Sequence, residues 1–246
     1  MKNHIKLMKR IKSIIPPHIQ PKFKNEKDLL LWNKKKGLLF SKSILIRNKA
    51  MKIQKTLEES GIKDLYLNCS FKNYKVFHSG QEKALNSSKK YVKNFNKELS
   101  NFIFSGKPGT GKNHLAAAIG NHLILHGKKI LIITIADLMS KIKKTFQKNN
   151  NFTEEYFINK TSTVDLLIID EIGIQKESNY EKIIIHQIID RRSASKKSTG
   201  MLSNLNYNSL HQLLGERILD RMKLGNSIWL NFNWKSYRSY VSVKKK

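Results

Sequence analysis

The sequence predicts an α/β fold with a parallel-sheet core, preceded by a small all-helical N-terminal segment. Three observations carry that reading. The apolar run Phe102–Phe104 feeds a glycine-rich turn, Gly106 to Gly111, and an alanine-rich helical pattern opens at Lys112 and continues through Ile124. A second apolar run, Leu166 to Ile169, ends in the carboxylate pair Asp170-Glu171. Further short apolar runs (Lys129–Ile135, Gly200–Asn204, Ser227–Phe232) alternate with segments of helical period, which is the strand–helix alternation of a parallel sheet.

Composition bounds the possibilities. A chain of 246 residues holds one ordinary α/β domain plus a smaller appendage. No apolar run approaches the ~20 residues needed to cross a membrane. No secretory apolar region follows the start, and no acid appears before Glu26, so an organellar transit peptide has to be weighed. Arg10 is the only arginine and Ser13 the only hydroxyl residue there, which argues against one. The single cysteine, Cys69, cannot form an internal disulfide and fits a reducing cytoplasm, as a small buried hydrophobe rather than a nucleophile. A formal net charge of +29 is compatible with a polyanionic partner such as nucleic acid. It is equally compatible with a lysine-rich solvated surface, because nearly all of the charge is lysine.

Taken in order, Met1–Ile15 sets Ile5, Met8, Ile11 and Ile15 on one helical face and stops at Pro16-Pro17. A second helical pattern spans Lys27–Lys36, and a third spans Leu39–Glu59 with Gly61 as its stop signal. These helices bury too little surface to be stable alone, so they either cap the main domain or present an apolar stripe to a partner. The predicted organisation is a helical domain over 1–60, a linker over 61–75 and a nucleotide-binding domain over 76–246. The linker carries Phe71 and Tyr74, which are either core residues or contacts to a nucleotide base. Helices are expected at Gln81–Asn96, Ala136–Gln147, Thr153–Asn159, Tyr180–Ser195 and Leu213–Met222, the last as a single helix.

The chemistry lies at two motifs. In Gly106-Lys107-Pro108-Gly109-Thr110-Gly111-Lys112-Asn113-His114 the glycines let successive backbone N–H groups converge on an anion at a helix N-terminus, and Lys112 reaches the β- and γ-phosphates. Asn113 stands where a Ser or Thr hydroxyl usually ligates Mg²⁺. Either its amide oxygen takes that place, or the ion is held by phosphates, water and a distant carboxylate. Asp170 would bind Mg²⁺ and Glu171 would orient and deprotonate the attacking water. The two motifs together define a P-loop NTPase.

Arginine occurs only at positions 10, 47, 191, 192, 217, 221 and 238. Where lysine is the default cation, an arginine suggests need for its planar fork. Arg191 and Arg192 suit the end of their helix. Arg217 has Asp220 three residues on as an intrahelical partner, whereas Arg221 has no acid at its neighbouring helical positions. His114, His122 and His126 have helical spacing but lack the glutamate of a zinc-binding helix, so metal binding there is not expected.

The stretches Gly106–Leu115, Leu166–Glu171 and Gly215-Glu-Arg-Ile-Leu-Asp-Arg221-Met222, with Pro16-Pro17 and Ser236-Tyr-Arg238, resemble the AAA+ ATPases of the DnaC/IstB-like family over essentially the whole chain. That resemblance implies a slow ATPase, stimulated by assembly and by single-stranded DNA, that uses ATP and Mg²⁺. Asn204 then matches the sensor that aligns the attacking water, Arg221 the arginine finger acting on a neighbouring subunit's ATP, and Arg238 the second sensor. Residues 1–60 would bind a replicative DNA helicase hexamer of the DnaB type, and the ATPase domains would self-associate. Phe146, Ser178 and Tyr180 match segments near the single-stranded DNA path. A transposition helper of the IstB type is the nearest alternative. A basic nucleic-acid-binding protein with a vestigial ATP site is another, and a small-molecule kinase lacks any acceptor-binding lid.

Overall fold

The computed structural model describes residues 26–95, 97–145, 153–173 and 179–237. The chain divides into two compact units, residues 1–51 and 52–246. Helix α1 (Glu26–Glu59) runs through that division and buries none of its residues. Two helices were expected over this stretch, and the structure has one. Gly37 sits in its interior with open space around the position of a Cβ. A solvated glycine costs a helix only ~0.5–1 kcal/mol, too little to break one that has no proline. In the first unit Leu30, Leu38, Leu39, Phe40 and Leu45 are exposed. Met1–Ile15 and Pro16-Pro17 lie outside the described residues.

The second unit is a parallel sheet with helices on both faces. After a 3-10 turn (Asp64–Tyr66) come α2 (Ser79–Asn94), β1 (Phe102–Gly106), α3 (Lys112–Leu125), β2 (Ile130–Thr134), α4 (Ile135–Lys144) and α5 (Glu154–Thr163). They are followed by β3 (Leu166–Ile172), α6 (Asn179–Ala194), β4 (Ser198–Ser203), α7 (Tyr207–Leu214), α8 (Glu216–Lys223) and β5 (Ile228–Phe232). Local chemistry fixes several starts: Thr134 caps α4 by accepting from Asp137 N and donating to its carboxylate, and Asn206 caps α7 by accepting from Ser209 N. The single helix expected at Leu213–Met222 is instead two. Gly215, at φ +78°, ends α7 and begins α8 in a conformation that an L side chain rarely adopts.

The strand order is β2-β3-β4-β1-β5, with every pair parallel. Strand β4 therefore separates the strand that feeds the glycine loop from the strand that ends in Asp170-Glu171. Alternation assigns the two faces: Phe102, Phe104, Leu166, Ile168 and Leu202 enter one core cluster, while Ile103, Leu167, Ile169 and Met201 enter the other. Phe102 pairs with Gly200, and a Cβ on Gly200 would lie 2.2 Å from its ring. That missing side chain lets the central strands carry an aromatic at this point.

Candidate functional site

At the C-terminal end of β1 the chain turns through Gly106 at φ +117°, where a Cβ would lie 2.5 Å from the Phe232 carbonyl. The segment after β5 then clasps the loop. Lys107 N donates to Phe232 O (2.8 Å), Tyr237 N donates to Gly109 O (2.8 Å), and Trp234 Nε1 donates to Thr110 O (2.9 Å). Across a planar trans peptide the N–H points opposite to the carbonyl. Anchoring the carbonyls of Gly109 and Thr110 thus turns the N–H groups of Thr110 and Gly111 away from the segment that clasps the loop. Gly111, at φ +98°, opens α3, and a Cβ there would meet the Tyr74 ring at 2.8 Å.

Lys112 is buried, and its Nζ donates to the carbonyls of Gly106 and Lys107, both at 2.7 Å. Burial pulls its ammonium down to about 8, against the opposing pull of the Asp170 carboxylate. An ammonium stretched across its own loop in this way is set beside any anion that the loop's N–H groups bind.

The carboxylates arrive on a bulge. β3 and β4 lose register between Ile169 and Ile172, and within that gap Glu171 adopts φ +61°. A left-handed non-glycine residue costs on the order of 1–3 kcal/mol, and such bulges re-aim side chains at sites. Ser203 braces the bulge by donating to Ile172 O at 2.6 Å while accepting from Leu205 N. Burial holds the Asp170 carboxyl above the usual carboxylate range, although the Glu171 N–H (2.7 Å) and the Asn113 amide both bond it. Asn113 Nδ2 donates to Asp170 Oδ2 at 2.6 Å. Among the described residues no three His, Cys, Asp or Glu side chains cluster as a metal site. Asn113 and Asp170 form a two-residue oxygen set beside the loop, which fits Mg²⁺, a cation that keeps waters and shares phosphate oxygens.

These groups line one cavity of about 560 Å³, walled by Pro108 to His114, Asp170, Glu171, Ser203, Asn204 and Tyr237. Asn204 and Glu171 are its exposed members from the two neighbouring strand tips. The opposite wall, Leu65, Tyr66, Asn68, Cys69 and Asn73 to Lys75, belongs to the stretch expected to be a linker. Asn121 pins it by donating to the carbonyls of Tyr66, Leu67 and Cys69. His114 Nε2 lies 3.2 Å from Ser70 O and 3.0 Å from Asn73 Oδ1, so its ring serves this wall. Tyr74 lines the cavity and packs on the loop, whereas Phe71 sits against His122 and does not line it. Cys69 is buried, and burial pushes its thiol up.

Arg221 is elsewhere. Its carbonyl accepts from Asn101 Nδ2 at 3.0 Å, and Asn101 stands just before β1, at the end of the sheet opposite the glycine loop. Arg217 does not pair with Asp220 as its spacing suggests. Arg217 Nη2 meets Asp190 of α6 at 2.7 Å, and Asp220 takes Lys223 instead. Tyr180 donates to Glu154 at 2.7 Å. Phe146, Ser178 and Arg238 lie outside the described residues. Arg191 bonds Glu155 and Asn159. Arg192 is fully buried and gives its guanidinium to Thr199 and to the carbonyls of Thr161, Ser162, Val164 and Ser198, so it joins α5, α6 and β4 rather than merely suiting a helix end.

The family model for the IstB-like ATP binding protein matches residues 40–244. The chain belongs to the DnaC/IstB-like family of AAA+ ATPases. It is 64% identical over 241 residues to the replicative helicase loader DnaC of Buchnera aphidicola subsp. Baizongia pistaciae, covering 98% of each chain. Against the replicative helicase loader DnaC of Escherichia coli K12 it is 55% identical over 245 residues, the full length of both. A crystal structure of the DnaC helicase loader superposes with a TM-score of 0.62 at 24% identity, covering 70% of this chain and all of that one, a likeness of fold. The cavity built on Lys112 lies within the stretch that this ATP-binding family model matches. No described helix is long and apolar enough to cross a membrane.

Proposed function

We propose that the chain is an ATP-dependent loader that binds a replicative DNA helicase hexamer and delivers it onto single-stranded DNA. The observation that carries this reading is where the likeness begins. The IstB-like family model starts at residue 40, whereas the relatives named helicase loaders match through 98–100% of the chain, including the stretch ahead of it. A transposition helper shares the ATP site but has no reason to share that start. The exposed apolar side chains of α1, Leu38 and Leu45 among them, supply a surface for a protein partner.

At the ATP site the loop N–H groups and Lys112 bind the phosphates. Mg²⁺, when bound with the nucleotide, neutralises charge on the phosphate oxygens. Asn113 holds the Asp170 carboxylate through its NH₂, which leaves its Oδ1 free to serve as a second ligand. Glu171, at the exposed tip of the bulge, accepts a proton from the attacking water, and Asn204 on the adjacent tip aligns that water. Arg221, at the far end of β1, serves a neighbouring subunit's ATP, so hydrolysis requires self-association. Arg238 and the segments bearing Phe146, Ser178 and Tyr180 are the second sensor and the DNA path in this reading.

Co-purification with the organism's own replicative helicase tests it. The wild-type chain should form a stable complex, and Leu38→Glu/Leu45→Glu, which disturbs no core contact, should lose it. Helicase binding unaffected by that pair, or absent from the wild type, would overturn the loader reading.

A further inference from the structure

Arg221 finds its carboxylate off its own helix, and the way it is held differs from the way its neighbour is held. Its Nε lies 2.5 Å from Asp190 Oδ1, an ionic contact without hydrogen-bond alignment, and its Nη1 reaches the Arg217 carbonyl at 3.4 Å. Among the described residues Nη2 has no bond. Arg217 meets the same carboxylate through a terminal nitrogen, Nη2 to Asp190 Oδ2, while its side chain is 64% exposed. One carboxylate thus takes the fork of Arg217 and the shaft of Arg221.

The surroundings of Asp190 make it a firm anchor. Two residues further along α6, the buried Arg192 fastens the helix end to α5 and β4. The main chain of Arg221 is fixed as well, because Asn101 donates to its carbonyl while accepting from Thr199 N at 2.9 Å. Both roots of the arginine are therefore tied to the sheet, and the side chain borders a shallow hollow with Asp190, Ser193, Ala194, Asp220 and Leu224, Asp220 being paired with Lys223. Arg217 spends its terminal Nη2 on the carboxylate, whereas Arg221 meets the same carboxylate through Nε and keeps Nη2 clear of it. With Nε on the carboxylate and Nη1 on the Arg217 carbonyl, Nη2 is the nitrogen of the fork left to meet a phosphate oxygen.

We propose that Asp190 is a positioning residue for Arg221: it holds the guanidinium at Nε and so presents Nη2 to ATP bound by the neighbouring subunit. This rests on reading Arg221 as a finger acting in trans. Holding an otherwise freely rotating arginine in place removes the ordering cost at the moment of reaction, and misplacing such a group by an ångström costs about 100-fold in rate.

Subunit mixing tests the proposal. A donor chain carrying Lys112→Ala supplies the arginine, and an acceptor chain carrying Arg221→Ala supplies the ATP site. Mixed on single-stranded DNA, the pair should hydrolyse ATP although neither does alone. Asp190→Asn in the donor should lower that rate about 10- to 100-fold, with KM for ATP unchanged. The same substitution in the acceptor should change nothing, which also establishes that it folds and binds ATP. Arg217→Gln in the donor should stay within about twofold, because the shaft contact survives. An unaltered or raised rate with the Asp190→Asn donor overturns the proposal, as does an equal loss with Arg217→Gln, which would reduce the trio to a structural clasp. A Lys112→Ala/Arg221→Ala donor that still stimulates the acceptor overturns the trans-finger reading itself, and the proposal with it.

Discussion

Raising the pH should weaken ATP binding through one residue. Lys112 is 6% exposed, and burial pulls its ammonium down to about 8 from an ordinary 10.5. Phosphate binding favours the charged form, so the nucleotide complex holds its proton to a higher pH than the free protein does. Below pH 8 the free protein is already charged and the affinity is flat. Above pH 8 each bound nucleotide must first recover a proton, and the affinity falls by up to about tenfold per pH unit. Between pH 7 and pH 9 the dissociation constant should rise about tenfold. The triphosphate itself is fully ionised over most of this window. The sign for folding is opposite: an unfolded chain keeps the lysine proton up to about 10.5, so between pH 8 and 10.5 this group adds stability as pH rises. Weaker binding at pH 9 therefore cannot be charged to unfolding through Lys112. A fluorescent ATP analogue titrated at each half pH unit measures the effect, and Lys112→Arg, charged throughout, should flatten the profile. A wild-type dissociation constant constant within about twofold from pH 7 to 9.5 would refute the reasoning.

Two further perturbations probe the carboxylate bulge and the sheet. Glu171→Gln should bind ATP as the wild type does and lose at least about 100-fold in single-turnover hydrolysis, the contribution of a positioned general base; unchanged turnover would take Glu171 out of the chemistry. Gly200→Ala puts a Cβ 2.2 Å from the Phe102 ring and should cost ~1–3 kcal/mol of overpacking, read as a lower urea midpoint. Phe102→Leu in the same chain should recover part of the loss, and an unshifted midpoint would contradict the β1–β4 register.

The two chemical motifs were legible because their chemistry is local. Glycines, a lysine and a helix start are contiguous in sequence, and a buried strand ending in Asp170-Glu171 announces itself by its apolar run. What pairs with what across the fold was not. Nothing in the spacing of Arg217 and Arg221 names Asp190, which comes from a helix some thirty residues earlier, and the nearer acid Asp220 suggested the wrong partner. Arg192 did leave a signal. In a chain that defaults to lysine, the scarcity of arginine marks it as it marks Arg221; the helix end accounts for a cation there but not for the carbonyls its fork binds. Gly37 and Gly215 show why the same residue reads ambiguously. One lies on a solvated helix that tolerates it, and the other takes a positive φ that ends the helix. The wall from Leu65 to Lys75 read as a linker because it has turn composition and no period. Its order comes from Asn121 and His114, on a helix far along the chain.

The most direct measurement of the central claim is transfer of the replicative helicase onto a closed circle of single-stranded DNA, which a closed hexameric ring cannot thread. With this chain and ATP the helicase should become topologically bound to the circle, and with Lys112→Ala it should not. Equal binding without the chain, or with Lys112→Ala in its place, would contradict an ATP-dependent loader.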